Sequence, residues 1–240
     1  PPRLYQGKSG GMMVRDIVEH GLSKSINFDE PLLSEIIQIN HQINNWHRSV
    51  NIDPSKPNLV NGAVLAALKV VDGIVDIAQI GDAIAVWQFR DGRFGGTKNQ
   101  LRTIDGLAGR IFTDCLVRAD GDYGIAWDLY YPFVVEAKSY SNAYGTDLGY
   151  GVLNGSPDYC NFLDHHFFNC RELSRVFLLT DGFIPDNLQL SDREIAEQIV
   201  INYDNGGLSR LVDIACKIEQ AKKDTHCPCR EKTAIVVTFD

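Results

Sequence analysis

Two aspartates stand where an apolar run breaks beside a glycine, a position at which a carboxylate can do chemistry. Asp82 follows Ile80-Gly81 at the end of one apolar run, and Asp181 follows Leu179-Thr180 at the end of another. Mg²⁺ and Mn²⁺ take carboxylate, carbonyl and water oxygens, so carboxylates at strand ends are suitable ligands. Aspartate next to glycine is also a usual composition of turns. The two aspartates are therefore candidate metal ligands, with turn capping as the alternative.

Two further short motifs invite a chemical interpretation. Gly7-Lys8-Ser9 can be compared with the end of a phosphate-binding loop, but that loop needs a glycine five residues earlier, where Pro2 stands. His226, Cys227 and Cys229 place three soft donors within four residues and could ligate Zn²⁺ or Cu⁺. Because no second pair with zinc-ribbon spacing occurs, a reduced, exposed loop is the favoured interpretation of this segment.

Four other histidines are expected to have structural or solvated positions. His165 and His166 lie in an apolar, strand-like stretch in which neighbouring side chains face opposite ways. We therefore expect half-buried structural histidines there. His41 and His47 fall on the polar side of a predicted helix, so both are expected to be solvated.

Hydrophobic periodicity predicts the elements that must position these residues. Helical spacing indicates helices over 11–25, 30–46, 191–200 and 208–222. Apolar runs bounded by turn residues indicate strands over 63–71, 74–80, 83–89, 150–153, 176–179 and 233–239. Ser191 and Glu194 have the spacing of a helix capping box, and Asp72-Gly73 that of a hairpin turn. We expect the three strands within 63–89 to form an antiparallel meander.

The stretch 104–148 carries mixed signals. Leu107, Ile111 and Cys115 have helical spacing, whereas Tyr130 and Phe133 belong to an aromatic, β-prone segment. We expect a divergent insertion or flap at about 95–148 within a single domain over 1–240, because no repeat or linker divides the chain. Helices that bracket antiparallel strands predict an α+β layered sandwich.

Four short segments, taken in order, resemble the metal-dependent protein phosphatases of type 2C. They are NGAVLAAL at 61–68, IGDA at 80–83, FLLTDGF at 177–183 and TAIVV at 233–237. The segment GYGVLNG at 149–155 also looks like a strand and turn of the bacterial members. The resemblance covers roughly 7–240. It implies a four-layer αββα sandwich of two antiparallel sheets flanked by helices, with Mn²⁺ or Mg²⁺ at one end of the central sheets.

The resemblance also implies roles for individual residues. Asp181 matches a ligand of the bridging metal site, and Asp82 matches an aspartate associated with an additional metal. Gln6-Gly7 stands where the family has a metal-bridging Asp-Gly. Arg230 stands where a ligand aspartate precedes the last strand, and the adjacent Glu231 could substitute for it. A neutral amide lacks the charge of a carboxylate, and a guanidinium repels a cation, so this is a divergent metal site.

Composition limits the class of partner. The formal net charge of -8 opposes nucleic-acid binding, which depends on Lys and Arg that neutralise phosphates. No apolar run reaches the roughly 18 residues of a membrane span, and no leader is recognisable, so we predict no membrane association and a cytoplasmic location. The chain opens at Pro1-Pro2 without an initiator Met, which suggests a fragment or a trimmed product.

The resemblance implies a Mn²⁺- or Mg²⁺-dependent serine/threonine phosphatase that holds one or two ions. In such an enzyme a metal-activated water attacks the phosphate monoester of a phosphorylated protein, without a covalent intermediate. Because two of three expected core ligands are replaced, impaired activity is expected. The alternative is a catalytically inactive pseudophosphatase that acts as a protein-binding or regulatory module.

Overall fold

The computed structural model describes residues 4–23, 30–184, 190–223 and 232–240. The strands and helices formed by these residues are, in chain order, β1 (Leu4–Tyr5), β2 (Lys8–Ser9), α1 (Gly10–Ser23), α2 (Leu32–Ser49), β3 (Leu65–Val71), β4 (Ile74–Ile80), β5 (Ile84–Phe89), β6 (Phe94–Gly96), α3 (Arg102–Arg118), α4 (Tyr123–Ala137), β7 (Asp164–Asn169), β8 (Leu173–Leu179), α5 (Asp192–Asp204), α6 (Gly207–Lys223) and β9 (Ala234–Thr238). None of the described helices is both long and apolar enough to cross a bilayer.

The described residues divide into two compact units. Unit 1 comprises 4–23, 34–64 and 100–163, and unit 2 comprises 30–33, 65–99, 164–184, 190–223 and 232–240. Unit 2 contains two antiparallel sheets, one with the strand order β3-β4-β7 and the other with the order β6-β5-β8-β9. Mixed helices and antiparallel sheets confirm the predicted α+β class.

The two central strands of the four-stranded sheet of unit 2, β5 and β8, bury side chains on both faces. On β8, Phe177 packs with α5 and α6, whereas the neighbouring Val176 packs between the two sheets. On β5, Val86 packs in the same cluster as Phe177, and the neighbouring Ala85 packs in the same cluster as Val176. This alternation is the period of two that a strand imposes on its side chains. It explains why the inner parts of the two strands, 84–87 and 176–179, are continuously apolar rather than alternating.

The predicted meander over 63–89 is wrong in its last strand. β3 and β4 pair as expected, but β5 pairs with β6 and β8 in the second sheet. Gly81 has a φ of 92°, a conformation that favours glycine, at the point where the chain leaves β4. The turn at this glycine carries the chain from one sheet to the other. Three apolar runs separated by glycines do not distinguish this crossing from a hairpin.

Two local predictions in unit 2 are confirmed. Asp72 and Gly73, with φ of 49° and 78°, form the tight turn between β3 and β4. Ser191 Oγ accepts a hydrogen bond from the Glu194 amide at 3.2 Å, and Glu194 Oε2 accepts one from the Ser191 amide at 2.7 Å. This reciprocal pair is a capping box that satisfies backbone donors at the start of α5.

The stretch with mixed sequence signals is helical and belongs to unit 1. α3 and α4 pack together through a small cluster at Cys115, Ala119 and Ala126. Asp122 caps α4, because its side chain accepts a hydrogen bond from the Ile125 amide at 3.0 Å. The β-prone interpretation of the aromatic residues around Tyr130 is therefore wrong. Mutual packing of the two helices outweighs the weak strand preference of aromatic residues.

The predicted strand at 150–153 is replaced by an irregular segment. It makes only isolated bridges, Ala63 with Leu153 and Ser141 with Tyr150, among the residues that the structure describes. The Asn142 side chain accepts a hydrogen bond from the Val152 amide at 2.9 Å and donates one to the Val152 carbonyl at 2.8 Å. An amide side chain thus satisfies the backbone groups that a neighbouring strand would otherwise pair.

His47 is fully buried in unit 1, so the prediction that its side chain is solvated is wrong. The same prediction is confirmed for His41, which is exposed. His47 Nε2 accepts a hydrogen bond from the Asn61 amide at 3.1 Å. Burial lowers the pKa of the imidazole, an effect opposed by the Asn154 backbone. A protonated ring could not accept the Asn61 hydrogen bond, so geometry and burial both favour the neutral form.

We expect His47 to make stability pH-dependent. Its folded pKa lies below the reference value of 6.5, so the unfolded chain binds a proton that the folded chain does not. Stability should therefore fall as the pH is lowered from about 7.5 to about 5.5. Melting temperatures across this range should fall less in His47→Gln than in the wild type. The exposed His41→Gln on the same helix should keep the wild-type slope; an unchanged slope in His47→Gln would contradict this assignment.

Candidate functional site

Asp82 and Asp181 lie at the same end of the four-stranded sheet. The antiparallel register pairs Ile84 on β5 with Leu179 on β8. Asp82 lies two residues before Ile84 and Asp181 two residues after Leu179, so both lie just beyond the same end of the β5–β8 pair. Both side chains are half-buried. The pairing of strands distant in sequence thus places the two aspartates singled out from the sequence at the same end of one sheet.

Backbone pairing fixes the segment that carries Asp181. The Thr180 amide donates to the Thr233 carbonyl at 3.0 Å, and Thr180 Oγ1 accepts from the Thr233 amide at 2.9 Å. Asp181 then opens a short 3-10 helix, Asp181–Phe183, whose last two residues are buried. The carboxylate is therefore attached to a segment held on one side by β9 and on the other by the core.

A buried amide fixes the segment that carries Asp82. Gln79 is fully buried at the end of β4, and its Nε2 donates to the Gly81 carbonyl at 2.8 Å. This hydrogen bond holds the turn that leads into Asp82. A hydrogen bond to a buried amide is worth on the order of 1 kcal/mol, and losing it would leave the amide unsatisfied.

Two carboxylates alone would suit one hard cation better than two. Two carboxylates with waters completing the shell are a common way to hold Mg²⁺ or a similar ion. Within the described ranges, no group of three or more His, Cys, Asp or Glu side chains is arranged to hold a metal. The remaining candidates from the sequence lie outside the described residues. They are Arg230, Glu231 and the donors His226, Cys227 and Cys229.

Gln6 and Gly7 form a tight turn, at the position where the family resemblance implies an Asp-Gly pair. They connect β1 and β2 with φ of 52° and 79°, the left-handed pair of a two-residue hairpin. Gln6 is exposed. Aspartate and asparagine tolerate this backbone conformation better than glutamine does. The turn of the expected Asp-Gly is therefore present in unit 1, but its carboxylate is not.

The paired histidines are structural, as the sequence predicted. His165 Nε2 lies 2.6 Å from Asp76 Oδ1, and Asp76 Oδ2 accepts a hydrogen bond from the Leu32 amide at 2.9 Å. His166 Nε2 lies 2.9 Å from an oxygen of Asp164, and His166 lowers the pKa of that carboxyl. These carboxylates fix β7 to its surroundings and are not available to a shared ligand.

A second polar feature of unit 2 has no counterpart in the sequence analysis. Arg93, between β5 and β6, and Arg193, in the first turn of α5, line one cavity. They are far apart in sequence and belong to no motif, so only the packing of α5 beside β6 brings them together. In the sequence Arg93 stands next to Phe94, but Arg193 has no aromatic neighbour, so no local signal links the two arginines.

Comparisons with known proteins identify the fold. A scan against protein-family models and a search of curated proteins gave no match. Among solved structures, the serine-threonine phosphatase 2C from Toxoplasma gondii aligns with 97% of this chain and 81% of its own, with a TM-score of 0.51 at 12% identity.

Two further alignments involve the phosphatase PstP. The serine/threonine phosphatase PstP/Ppp from Mycobacterium tuberculosis covers 96% of this chain and 82% of its own, with a TM-score of 0.49 at 18% identity. The catalytic domain of PstP in complex with 2 manganese ions covers 95% and 80%, with a TM-score of 0.49 at 18% identity. With the Toxoplasma alignment and the two antiparallel sheets as evidence, the chain has the α+β fold of the type 2C serine/threonine phosphatases.

Proposed function

We propose that this chain is a metal-dependent phosphatase-like domain that hydrolyses phosphoserine or phosphothreonine in proteins, with low turnover. The observation that carries this proposal is the placement of Asp82 and Asp181 at one end of the β5–β8 pair. The type 2C fold supplies the substrate class by resemblance. We further propose that 1–240 act as one such domain in the cytoplasm, with about 95–148 as a divergent insertion.

Asp181 and Asp82 would hold a Mn²⁺ or Mg²⁺ ion, which when bound neutralises phosphoryl oxygens and acidifies a water. The protein's contribution is to fix the two carboxylates before the ion arrives. The Thr180–Thr233 hydrogen bonds orient the first carboxylate, and the Gln79–Gly81 hydrogen bond orients the second. Such preorganisation reduces the cost of gathering like charges around a cation.

Low turnover follows from the missing carboxylates. The turn that the resemblance assigns to a bridging aspartate carries Gln6, whose amide oxygen is neutral. The resemblance places Arg230 where another carboxylate is expected, and its charge opposes a second cation. A single ion lacks the two-metal clamp that stabilises both the attacking and the leaving oxygen.

A non-catalytic regulatory module is the second candidate. It is favoured by the same loss of carboxylates and by the exposed apolar surface of α4. Trp127, Tyr131 and Val135, spaced by four residues, are 42%, 55% and 38% exposed. Exposed apolar side chains along one helix stripe are a feature of protein-interaction surfaces.

Restoring the two carboxylates should distinguish these candidates. We expect Gln6→Asp combined with Arg230→Asp to raise Mn²⁺-dependent phosphate release from a phosphoserine peptide by at least about tenfold, equivalent to about 1.4 kcal/mol of transition-state stabilisation. The matched control is Gln6→Asn with Arg230→Gln, which removes the positive charge without adding a carboxylate. We expect the control to stay within about threefold of the wild type, since it adds no ligand charge.

The outcome decides between catalysis and binding. Slow Mn²⁺-dependent release by the wild type, with a gain only in the aspartate variant, would support the phosphatase. No release by either protein would favour the regulatory module. Equal gains in the aspartate and control variants would show that charge removal alone matters and would contradict the ligand assignment.

A further inference from the structure

A basic cavity lies beside the edge of the four-stranded sheet in unit 2. Its volume is ≈ 430 Å³, and it is lined by Phe89, Arg93, Phe94, Gly95, Gly96 and Arg193. Pockets of this size hold small ligands or a few side chains of a partner. The cavity is thus larger than a single phosphate group needs, and its charged lining is the feature to explain.

Each arginine lies over an aromatic ring. The Arg93 guanidinium carbon lies 4.8 Å from the centre of the Phe89 ring, and that of Arg193 lies 5.9 Å from the centre of the Phe94 ring. Stacking on a ring restricts a guanidinium without using its N–H donors, which remain in the plane of the group. Two guanidinium groups on one cavity are well suited to an anion with several oxygens.

The local charge is positive although the chain is acidic. Asp91 engages one edge of Arg93, with Oδ2 2.8 Å from Nε. Arg193 makes no ion pair with any residue that the structure describes. The cavity lining formed by the described residues therefore contains two guanidinium groups and no carboxylate, and the terminal nitrogens of Arg93 remain for a second partner. An anion would complete the pairing.

We propose that this cavity binds the phosphate group of a phosphorylated protein segment, at a docking site separate from Asp82 and Asp181. The class of ligand rests on the proposed function, because a type 2C-like domain would meet phosphorylated proteins. Arg93 and Arg193 bind the phosphate oxygens, and the remaining volume accommodates the flanking residues. Arginine is preferred for this because its planar group binds phosphate in a bidentate way.

Two observations favour a protein ligand over a nucleic acid. The net charge of -8 repels a polyanion, whereas a single phosphate needs only the local positive charge. In addition, β6 is an edge strand in the sheet formed by the described residues, and it contributes three residues to the cavity lining. Sheet edges are common binding sites for extended peptides.

Peptide binding without metal tests this proposal independently of catalysis. The probe is a short fluorescein-labelled peptide with one central phosphoserine, titrated by anisotropy in EDTA. We expect Arg93→Ala with Arg193→Ala to weaken its binding by at least about tenfold, the effect of losing charged hydrogen bonds. Arg193→Lys should recover only part of the loss, because it restores charge without the planar fork. The matched control is Arg210→Ala, which removes an exposed charge elsewhere in unit 2.

Circular dichroism of each variant would confirm that it folds. The proposal is supported if the unphosphorylated peptide binds much more weakly and Arg210→Ala binds like the wild type. Equal binding of the phosphopeptide to the wild type and the double alanine variant would overturn it. Binding of inorganic phosphate with no gain from the peptide would overturn the assignment to a protein ligand. Because EDTA removes catalysis, a missing phosphatase activity would not mimic either result.

Discussion

Asp181→Asn is expected to weaken Mn²⁺ binding by at least about a hundredfold, since even groups that only orient a metal ligand are worth roughly 10- to 100-fold. The substitution keeps the size of the side chain but replaces a charged donor with a neutral amide. The two hydrogen bonds between Thr180 and Thr233 do not involve the substituted side chain, so the fold should be preserved. Titration calorimetry with Mn²⁺ would measure the change.

The matched control for this prediction is Asp213→Asn, which removes an exposed carboxylate from α6 in the same unit. We expect this variant to bind Mn²⁺ like the wild type. Asp82→Asn should weaken binding as well, because it removes the other carboxylate at the same strand end. If Asp181→Asn bound Mn²⁺ with wild-type affinity, the turn-capping interpretation of Asp181 would be correct instead.

Phe177→Ala is expected to destabilise the protein by about 3–5 kcal/mol, the usual cost of removing a large buried aromatic side chain. Phe177 is fully buried in the central strand β8. Its ring contacts Tyr203 edge-on at 5.1 Å and lies in the cluster that joins the sheet to α5 and α6. Substitution by alanine would therefore leave a cavity between the sheet and both helices.

Urea unfolding would measure the loss of stability, with Phe167→Ala on β7 as the matched control. Phe167 is 56% exposed, so its substitution should change the free energy of unfolding by no more than about 0.5 kcal/mol. A similar loss in the two variants would contradict the placement of Phe177 at the centre of the core. A loss of stability in Phe177→Ala far below the expected range would also contradict this placement.

Local signals in the sequence predicted local structure well. The Asp72-Gly73 turn and the Ser191 capping box depend on side-chain and backbone contacts over a few residues, and both are present. The helices α1, α2, α5 and α6 were also identified, because their apolar faces repeat with the helical period. The prediction failed for α4, where Tyr130 and its neighbours have weak strand preferences that packing against α3 outweighs.

Features that depend on distant contacts could not be predicted in the same way. The crossing of β5 into the second sheet depends on its pairing with β8, which lies far along the chain. The burial of His47 depends on the loop that contains Asn61, although its position on the helix looks polar. Resemblance to known phosphatases singled out Asp82 and Asp181, and their role as metal ligands stays a prediction. No such help existed for Arg93 and Arg193.

The number of Mn²⁺ ions bound by the wild-type chain tests the central proposal most directly. Two carboxylates at the β5–β8 end, with Gln6 in place of a bridging aspartate, predict one ion per chain and slow Mn²⁺-dependent hydrolysis of an aryl phosphate. Titration calorimetry and the hydrolysis assay would be run on the same preparation. One bound ion with slow release is the predicted result. Two bound ions with rapid release, or no bound ion at millimolar Mn²⁺, would contradict it.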